Sequence, residues 1–347
     1  MTELRFPQKL GWVPFFQQQI TLAEHDECQP ARVTEQHRSE VEIYAAEGAA
    51  VCPITASMPL LTVGDWILVS TDGRFQRLLE RKTSFRRRAA GSAANEQILA
   101  ANVDTAFVLC SLNADFNLNR IERYLSLIHE AGAEPVIVLS KVDLCDDPQS
   151  YQQQVQSLDN SLCVVSINAL DADSSSILQP WCRPGNTIVL LGSSGVGKST
   201  LANTLRVEAA QDTGAIREDD GKGRHTTTRR SLLMLPTGAM LIDTPGLREL
   251  QMTDFDAGIA ATFADIKQLA RHCRFSDCGH ETEPDCAVKK AIADSRLQPR
   301  RLQNYLKLKR EQGLYESTIA ERRAADRALG KFYKRTMAES RKIKGEK

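Results

Sequence analysis

The stretch Gly192-Ser-Ser-Gly-Val-Gly-Lys-Ser199 has the residue types and spacing of a phosphate-binding loop. It follows the apolar run 187–191, which predicts a strand, and precedes 201–205, which continues as a helix. Glycines let successive backbone N–H groups curve around phosphate oxygens, and the amino end of a helix adds a favourable dipole. The pattern therefore predicts a segment that holds the phosphates of a nucleoside triphosphate.

Individual positions of this loop have expected tasks. Lys198 is expected to reach the β- and γ-phosphates, and the Ser199 hydroxyl is expected to ligate Mg²⁺. The residues expected to line the nucleotide are Gly192, Ser193, Ser194, Gly195, Val196, Gly197, Lys198, Ser199 and Thr200. A chance Gly/Ser-rich turn is the alternative, and the flanking strand and helix argue against it.

Two further segments suit a metal-bound triphosphate. Asp243 ends an apolar strand and is followed by Thr-Pro-Gly246. In such a motif the carboxylate of Asp243 holds Mg²⁺, and the backbone N–H of Gly246 senses the γ-phosphate. The polar stretch 221–228 lies between the two motifs, and one hydroxyl there, of Thr226 or Thr227, is expected to complete the Mg²⁺ shell. A plain surface loop is the alternative for this stretch.

The candidate base-recognition residues precede the phosphate loop. An apolar strand runs into Ser140-Lys141-Val-Asp143, and the next predicted strand ends at Ser166-Ile-Asn168, the expected second guanine loop. The Asp143 carboxylate can accept both N1–H and N2–H of guanine, a donor pair that adenine lacks, and Lys141 can lie along the base plane. Guanine-specific GTPases usually carry Asn-Lys-x-Asp after the Asp-x-x-Gly motif, which here is Asp243–Gly246. In this chain the matching segment, 140–143, comes before that motif, so the order is that of a circular permutation.

Three thiols and an imidazole fall within one short polar loop. Cys273, Cys278 and Cys286 share this loop with His280, and His272 is adjacent. Zn²⁺ favours a tetrahedral Cys₃His set, and four protein ligands without a vacancy indicate a structural site. Because the segment has few apolar residues, metal binding would supply much of its folding free energy.

The elements that must position these residues divide the chain into four parts. Residues 1–30 show no clear period and are expected to form an N-terminal extension. Short alternating segments over 31–88 predict a small OB-like β-barrel, a type that often binds oligonucleotides. Over 89–255, apolar runs alternate with helical stretches, which predicts an α/β domain with a parallel sheet. Residues 256–347 are expected to be helical around the Cys/His loop, with a basic tail.

Length and composition exclude several protein classes. A chain of 347 residues with 42% hydrophobic and 25% charged residues is typical of a soluble globular protein of two or three domains. No apolar run is long enough to cross a bilayer, and the first ten residues lack the apolar stretch of a signal peptide. We therefore expect a cytoplasmic protein whose nine cysteines are reduced thiols or metal ligands.

The formal net charge of zero hides two basic runs. Residues 301–347 hold 14 Lys and Arg against 6 Asp and Glu. The second run consists of Arg74, Arg77, Arg81, Lys82, Arg86, Arg87 and Arg88, with only Glu80 opposing it along the sequence. One such run is ordinarily a solvated face, whereas two of them favour a polyanionic partner.

With these motifs in this order, the sequence resembles the ribosome small subunit-dependent GTPase A family, the circularly permuted GTPases of 30S subunit biogenesis. The resemblance covers about residues 31–300. The stretches that carry it are Arg86-Arg-Arg-Ala-Ala-Gly91, Ile98-Leu-Ala-Ala-Asn-Val-Asp104, Asn117-Leu-Asn-Arg-Ile-Glu-Arg-Tyr-Leu125 and Asp243-Thr-Pro-Gly-Leu-Arg-Glu249. It implies an OB-like barrel, a permuted α/β P-loop GTPase domain and a helical zinc-binding domain.

The resemblance also implies a function. It implies a Mg²⁺-dependent enzyme that converts GTP to GDP and phosphate, is activated by the 30S subunit during late maturation, and contacts 16S rRNA through the barrel and the zinc region. It places the fourth zinc ligand on His280 and suggests that His225 helps to position the attacking water. Leu247 follows Gly246 where Ras-like enzymes carry a glutamine, so slow intrinsic turnover is expected. We expect a monomer without membrane or DNA partners.

One position departs from the family pattern. Ser140 stands where the family usually has Asn, whose amide helps to hold the base and braces the phosphate loop. We predict weaker nucleotide affinity, with guanine preference retained through Asp143. Two alternatives remain open: a zinc-dependent rRNA-binding module with a degenerate nucleotide site, and an ATP-dependent enzyme that shares only the phosphate loop.

Overall fold

The computed structural model describes residues 6–88, 96–207, 230–243 and 255–316. The strands in these ranges are β1 (Cys28–Gln36), β2 (Glu40–Ala45), β3 (Gly48–Pro53), β4 (Trp66–Ser70), β5 (Phe75–Leu78), β6 (Ser84–Arg88), β7 (Glu96–Ala101), β8 (Thr105–Ser111), β9 (Glu134–Ser140), β10 (Cys163–Ile167), β11 (Thr187–Leu191), β12 (Arg230–Met234) and β13 (Met240–Asp243). The α-helices are α1 (Pro14–Gln17), α2 (Leu22–Glu27), α3 (Leu118–Ala131), α4 (Pro148–Gln156), α5 (Ala172–Ser175), α6 (Lys198–Val207), α7 (Asp256–Thr262), α8 (Ala264–Ala270), α9 (Ala287–Ala293) and α10 (Pro299–Glu316).

Most strands belong to one mixed sheet. Its order is β10-β9-β8-β11-β13-β12-β1-β2-β3, and β4 and β5 join it through β1. Strands β10, β9, β8, β11 and β13 run parallel to their neighbours in this series. Every residue of β8 and of β11 is buried, as expected for strands that are covered on both faces. The predicted parallel sheet is therefore present, and antiparallel strands extend it beyond β13.

Strand β1 connects the N-terminal strands to this sheet. It pairs antiparallel with β2 and β4, and its end pairs with β12 through Glu35 and Gln36. Strands β1–β5 also enclose an apolar core of their own, which includes Val33, Ile43 and Ile67. The OB-like barrel and the four domain limits stay predictions, because these strands are hydrogen-bonded to the larger sheet and not insulated from it.

The segment before β1 is packed against the rest of the chain. Leu10, Trp12 and Phe16 are buried in a cluster with Trp66 and Met240. The sequence showed no period here because the helices of this segment are only three to six residues long. A helix that short does not complete two turns, so no repeating apolar face can be recognised.

Arg32 lies where three parts of the chain meet. Its side chain is fully buried, and its guanidinium donates to the carbonyl of Leu10, to the carbonyl of Asn102 at 3.2 Å and to Thr187 Oγ1 at 2.8 Å. The guanidinium carbon also lies 5.6 Å from the centroid of the Trp66 ring. Burial lowers the pKa of Arg32 to about 10. This one side chain joins the N-terminal segment, β1 and the start of β11.

The C-terminal helices pack beside α3. Phe255, Phe263 and Leu308 are fully buried in the same core as Ile121 and Ile128 of α3. None of the helices in the described ranges combines the length and the hydropathy needed to cross a bilayer.

Candidate nucleotide and metal sites

The predicted phosphate loop leaves β11 and enters α6. Gly192 has a φ of 140°, and a Cβ atom there would lie 2.5 Å from the carbonyl oxygen of Leu109. Gly197 has a φ of 97°, in a region of backbone conformation that side chains with a Cβ rarely adopt. Two glycines of the motif are thus required by the backbone itself, and the loop has the strand–turn–helix context that the sequence predicts.

Lys198 is buried beneath the loop. Its Nζ donates to the carbonyl of Gly192 at 2.7 Å and to the carbonyl of Ser193. Ser199, the predicted Mg²⁺ ligand, is exposed at the start of α6. The lysine ammonium is therefore already placed at the loop in which the β- and γ-phosphates are expected.

The predicted base-recognition segment lies at the same edge of the sheet. Strands β9, β8 and β11 are parallel neighbours, so their carboxyl ends form one edge. The Ser140 hydroxyl is fully buried and donates to the carbonyl of Val196, inside the phosphate loop, at 2.7 Å. Lys141 follows with a φ of 61°, and Asp143 is exposed in a short 3₁₀ turn. The structure brings the two segments together although Asp143 and Lys198 are 55 positions apart along the chain.

Ser140 retains one of the two tasks of the asparagine that it replaces. The hydroxyl bonds to the phosphate loop, and the carbonyl of Cys110 lies 3.5 Å from it on the other side. This side chain is fully enclosed between β8, β9 and the loop. The serine thus keeps the contact that holds the phosphate loop in place. The predicted weakening of nucleotide affinity would therefore come only from the missing contact between an asparagine amide and the base.

Two more predicted site residues end strands of the same edge. Ser166 lies in β10, where Ile167 is in register with Ser140 of β9. The Ser166 hydroxyl is buried, and it has no hydrogen-bond partner in the part of the chain that the structure describes. Asp243 ends β13, the parallel neighbour of β11, and is exposed. All the predicted strand ends therefore lie on one side of the sheet.

Four predicted site residues fall outside the described residues. They are His225, Thr226, Thr227 and Gly246. Their assigned tasks, completion of the Mg²⁺ shell, positioning of water and contact with the γ-phosphate, stay predictions.

Sequence analysis missed Arg120, which lies in the first turn of α3. Its Nη1 donates to Ser193 Oγ at 2.5 Å and to both carboxylate oxygens of Asp115 at 2.8 Å. Asn117 caps the helix, and its Oδ1 accepts from the backbone N–H of Arg120 at 3.2 Å. The stretch 117–125 contributed to the family resemblance, but nothing in its spacing indicates a contact with the phosphate loop 73 residues away.

The four predicted zinc ligands come together between α8 and α9. Their ligand atoms all lie within 4.8 Å of one another. His280 Nδ1 is 3.7 Å from Cys273 Sγ and 3.4 Å from Cys286 Sγ, and these two sulfurs are 3.8 Å apart. A tetrahedral ion with Zn–S bonds of about 2.3 Å separates two sulfurs by about 3.8 Å. The donor set and its spacing therefore fit Zn²⁺.

The structure also distinguishes the two candidate histidines. His280 is buried and its Nδ1 lies near two of the thiols, whereas the exposed His272 is not part of the cluster within the described residues. Burial lowers the pKa of His280. A lowered pKa keeps the imidazole neutral, the form that binds a metal.

The basic run 74–88 is largely paired with carboxylates. The ion pairs are Arg74–Asp72 at 2.9 Å, Arg77–Glu24 at 2.5 Å, Arg81–Asp65 at 2.6 Å and Lys82–Asp104 at 3.1 Å. All four of these acids lie outside the run 74–88, so the sequence count, in which only Glu80 opposed the run, understated the opposing charge. Less positive charge remains here for a polyanion than the sequence suggested.

A buried ionic network links α3 to the C-terminal helices. The Glu122 carboxylate is fully buried and accepts from Arg300 at 2.9 and 3.1 Å, from Arg301 at 2.8 Å and from Asn304 at 2.5 Å. Arg301 also donates to Asp265 at 2.8 and 2.9 Å. The network ties α8 and α10, which flank the Cys/His segment, to the helix that contacts the phosphate loop.

Comparisons with known proteins agree with this geometry. A family profile described as RsgA GTPase matches residues 78–253. A protein of Vibrio parahaemolyticus named small ribosomal subunit biogenesis GTPase RsgA 2 is 54% identical over 335 residues, which cover 96% of this chain and 94% of that protein. A Xylella fastidiosa protein named small ribosomal subunit biogenesis GTPase RsgA is 47% identical over 307 residues, 84% of this chain and 88% of its own length.

Two crystal structures share the fold. YjeQ from Thermotoga maritima superposes with a TM-score of 0.61 at 24% identity and covers 81% of this chain and 97% of its own. YloQ, described as a circularly permuted GTPase, superposes with a TM-score of 0.61 at 23% identity and covers 86% of this chain and 99% of its own. In both cases the match includes nearly the whole of the solved protein.

Proposed function

The chain belongs to the RsgA GTPase family and has its circularly permuted GTPase fold, and on this premise we propose that it is a GTP hydrolase of small ribosomal subunit biogenesis. It binds the 30S subunit late in maturation, hydrolyses GTP when the subunit stimulates it, and leaves afterwards. The contact between Ser140 Oγ and the Val196 carbonyl, at 2.7 Å, carries the proposal, because it joins the base loop to the phosphate loop in one site.

The exposed carboxylate of Asp143 selects guanine by accepting its N1–H and N2–H groups, with Lys141 along the base plane and the Ser166 loop beside it. The position of these residues at the carboxyl ends of adjacent strands supports this assignment. The phosphates enter the glycine loop over Lys198. Mg²⁺ is held by the hydroxyl of Ser199 and the carboxylate of Asp243, both of them oxygen donors of the kind this ion prefers.

In hydrolysis, the oxygen of a water molecule bonds to the γ-phosphorus while the bond to the β–γ bridging oxygen breaks. The electron pair of that bond stays on GDP, and the proton of the water leaves with the phosphate or into solvent. Thr226 or Thr227 completes the Mg²⁺ shell, Gly246 contacts the γ-phosphate, and His225 helps to position the water. Since Leu247 cannot orient water, turnover without the subunit is slow.

One structural Zn²⁺ bound by the Cys₃His cluster holds the segment 273–286 in shape. This segment and the OB-like barrel contact 16S rRNA, and the basic tail 317–347 adds positive charge to the same interaction. The pairing of the run 74–88 with carboxylates assigns more of this task to the C-terminal part. The protein acts as a cytoplasmic monomer.

The decisive experiment measures phosphate release from GTP with and without purified 30S subunits. We expect strong stimulation by the subunit in the wild type, and a loss of about 10²–10³-fold in Lys198→Ala, since a preorganised charge at the phosphates is removed. Lys267→Ala, which changes an exposed lysine of α8, serves as the matched control and should behave as the wild type. No stimulation together with an unaffected Lys198→Ala would favour the zinc-dependent rRNA-binding module.

A second measurement tests the base. Asp143→Asn should lose the preference for GTP and gain xanthosine triphosphate as a substrate, because the new amide donates to the C2 carbonyl of xanthine. Competition between GTP, ATP and xanthosine triphosphate measures the change. If Asp143→Asn still selects GTP over ATP, Asp143 does not recognise the base. If the wild type hydrolyses ATP as fast as GTP, the alternative of an ATP-dependent enzyme is favoured.

A further inference from the structure

Arg120 places a second cation at the phosphate loop. Lys198 bonds to the carbonyl of Ser193, and Arg120 bonds to the hydroxyl of the same residue at 2.5 Å. Two positive side chains from separate helices thus meet at one loop residue. Lys198 is expected at any such loop, whereas nothing in the phosphate-loop motif requires an arginine from α3.

We propose that Arg120 is a catalytic residue, an arginine that the chain itself contributes to the γ-phosphoryl group of GTP during hydrolysis. The inference rests on the proposed function and extends it to the source of positive charge in the transition state. Its structural basis is the juxtaposition of Arg120, Ser193 and Asp115.

The position of Arg120 is held by the backbone of its own helix. Asn117 caps α3 directly after the loop that follows β8, and β8 is the parallel neighbour of β11. The first turn of α3 therefore lies beside the phosphate loop. Arg123, one turn further on, bonds to Glu311 of α10 at 2.7 and 2.8 Å and points away from the loop. Only the first of these two arginines serves the nucleotide.

Asp115 holds the guanidinium in a way that a phosphate can replace. The side chains of Arg120 and Asp115 are 37% and 40% exposed, and ion pairs at such solvated positions stabilise a protein only weakly. The contacts with Ser193 and Asp115 all use Nη1, so Nε and Nη2 donate to nothing within the described ranges. A phosphoryl group accepts two parallel guanidinium hydrogen bonds and carries more charge than one carboxylate.

The reaction needs such a cation. In phosphoryl transfer, negative charge spreads over the γ-phosphoryl oxygens and the bridging oxygen, and an arginine supplied in cis stabilises it in some GTPases. This chain has Leu247 where Ras-like enzymes carry the glutamine that orients water, so it depends more on stabilisation by charge. Arg120, bonded to the hydroxyl of Ser193, and Lys198, bonded to its carbonyl, supply that charge together.

The test separates catalysis from binding. In the presence of 30S subunits, Arg120→Ala should lower kcat by about 10³-fold or more, as the loss of an arginine finger does. Its affinity for GDP, which lacks the γ-phosphoryl group, should stay within about threefold of the wild type. Arg120→Lys should recover part of kcat, and added guanidinium ion should raise the rate of Arg120→Ala but not that of Lys198→Ala. Arg123→Ala is the matched control and should retain the wild-type kcat.

A purely bracing role gives a different pattern. If Arg120 only holds Ser193 in place, Arg120→Ala weakens GDP and GTP binding equally, leaves kcat unchanged and does not respond to guanidinium, and the inference is overturned. Asp115→Asn adds a second readout. If Asp115 only holds the guanidinium of Arg120 until GTP binds, this variant should leave kcat unchanged or raise it. A wild type without GTP hydrolysis would instead refute the proposed function, and this inference with it.

Discussion

The nucleotide site and the Cys/His segment are assembled in opposite ways. The nucleotide site collects residues from the ends of β9, β10, β11 and β13, between positions 140 and 243. The Cys/His segment takes all four donors from 273–286. The sheet holds the first site by backbone hydrogen bonds and by strands that are buried throughout, whereas the segment 273–286 is itself mostly polar, although its cysteines pack against the apolar core beside α9. The first site should therefore exist before its ligand arrives, and the second should depend on it.

Removal of the metal should have the largest effect. Cys286→Ser or a strong chelator should abolish the binding of one equivalent of zinc, a contribution of about 10–16 kcal/mol in comparable structural sites. Amide hydrogen exchange should then accelerate over 273–293 while β8 and β11 stay protected. Cys163→Ser is the matched control, since Cys163 is exposed and lies outside the cluster. If amide protection were lost equally over 273–293 and in β8 and β11, the two sites would not differ in their dependence on a ligand.

Glu122→Gln tests the connection between the two regions. The change leaves Arg300 without its buried counter-charge, and Arg301 retains only Asp265. Loss of one partner of a buried ion pair costs about 3–5 kcal/mol, and we expect about 3 because Asp265 remains. Urea unfolding should show the loss, while GDP binding persists. Glu47→Gln, in an exposed turn, is the control, and an unchanged unfolding free energy in Glu122→Gln would show that the network contributes nothing.

Ser140→Ala should have the smallest effect, confined to the nucleotide site. The variant leaves the buried carbonyl of Val196 without its hydroxyl partner, at a cost of about 1–3 kcal/mol. We expect GDP affinity to fall by about tenfold, which corresponds to about 1.4 kcal/mol. Zinc content should not change. Ser140→Asn should strengthen GDP binding, because the asparagine amide would add the contact with the base that serine lacks. Weaker binding in that variant would contradict the prediction that position 140 can contact the base.

The same contrast explains what the sequence could predict. The Cys₃His set was visible because its donors are close along the chain, and the glycine loop because phosphate binding demands a fixed spacing. The common edge of Ser140 and Lys198 followed from the order of apolar strands. Contacts between distant residues left no such signal: Arg120 reaches a loop 73 positions later, and Arg77 finds its partner Glu24 53 positions earlier.

The packing of the N-terminal segment left no local signal for a related reason. Its short helices have no period of their own and are held by Trp66, Met240 and Arg32, which belong to other parts of the chain. Leu10, Trp12 and Phe16 are buried because residues far away in the sequence cover them. The local spacing of apolar residues cannot show which distant residues will do so.

Arg32 limits how this architecture can be recombined. Its guanidinium depends on carbonyls at positions 10 and 102 and on the hydroxyl at 187, so its acceptors come from widely separated parts of the chain. In a chimera whose first ninety residues came from a distant relative, the arginine at this position would be buried without hydrogen-bond acceptors unless the rest of the chain offered oxygens like those of Asn102 and Thr187. Protein engineers who wish to graft a new binding specificity onto this scaffold should therefore exchange surface loops and leave that junction intact.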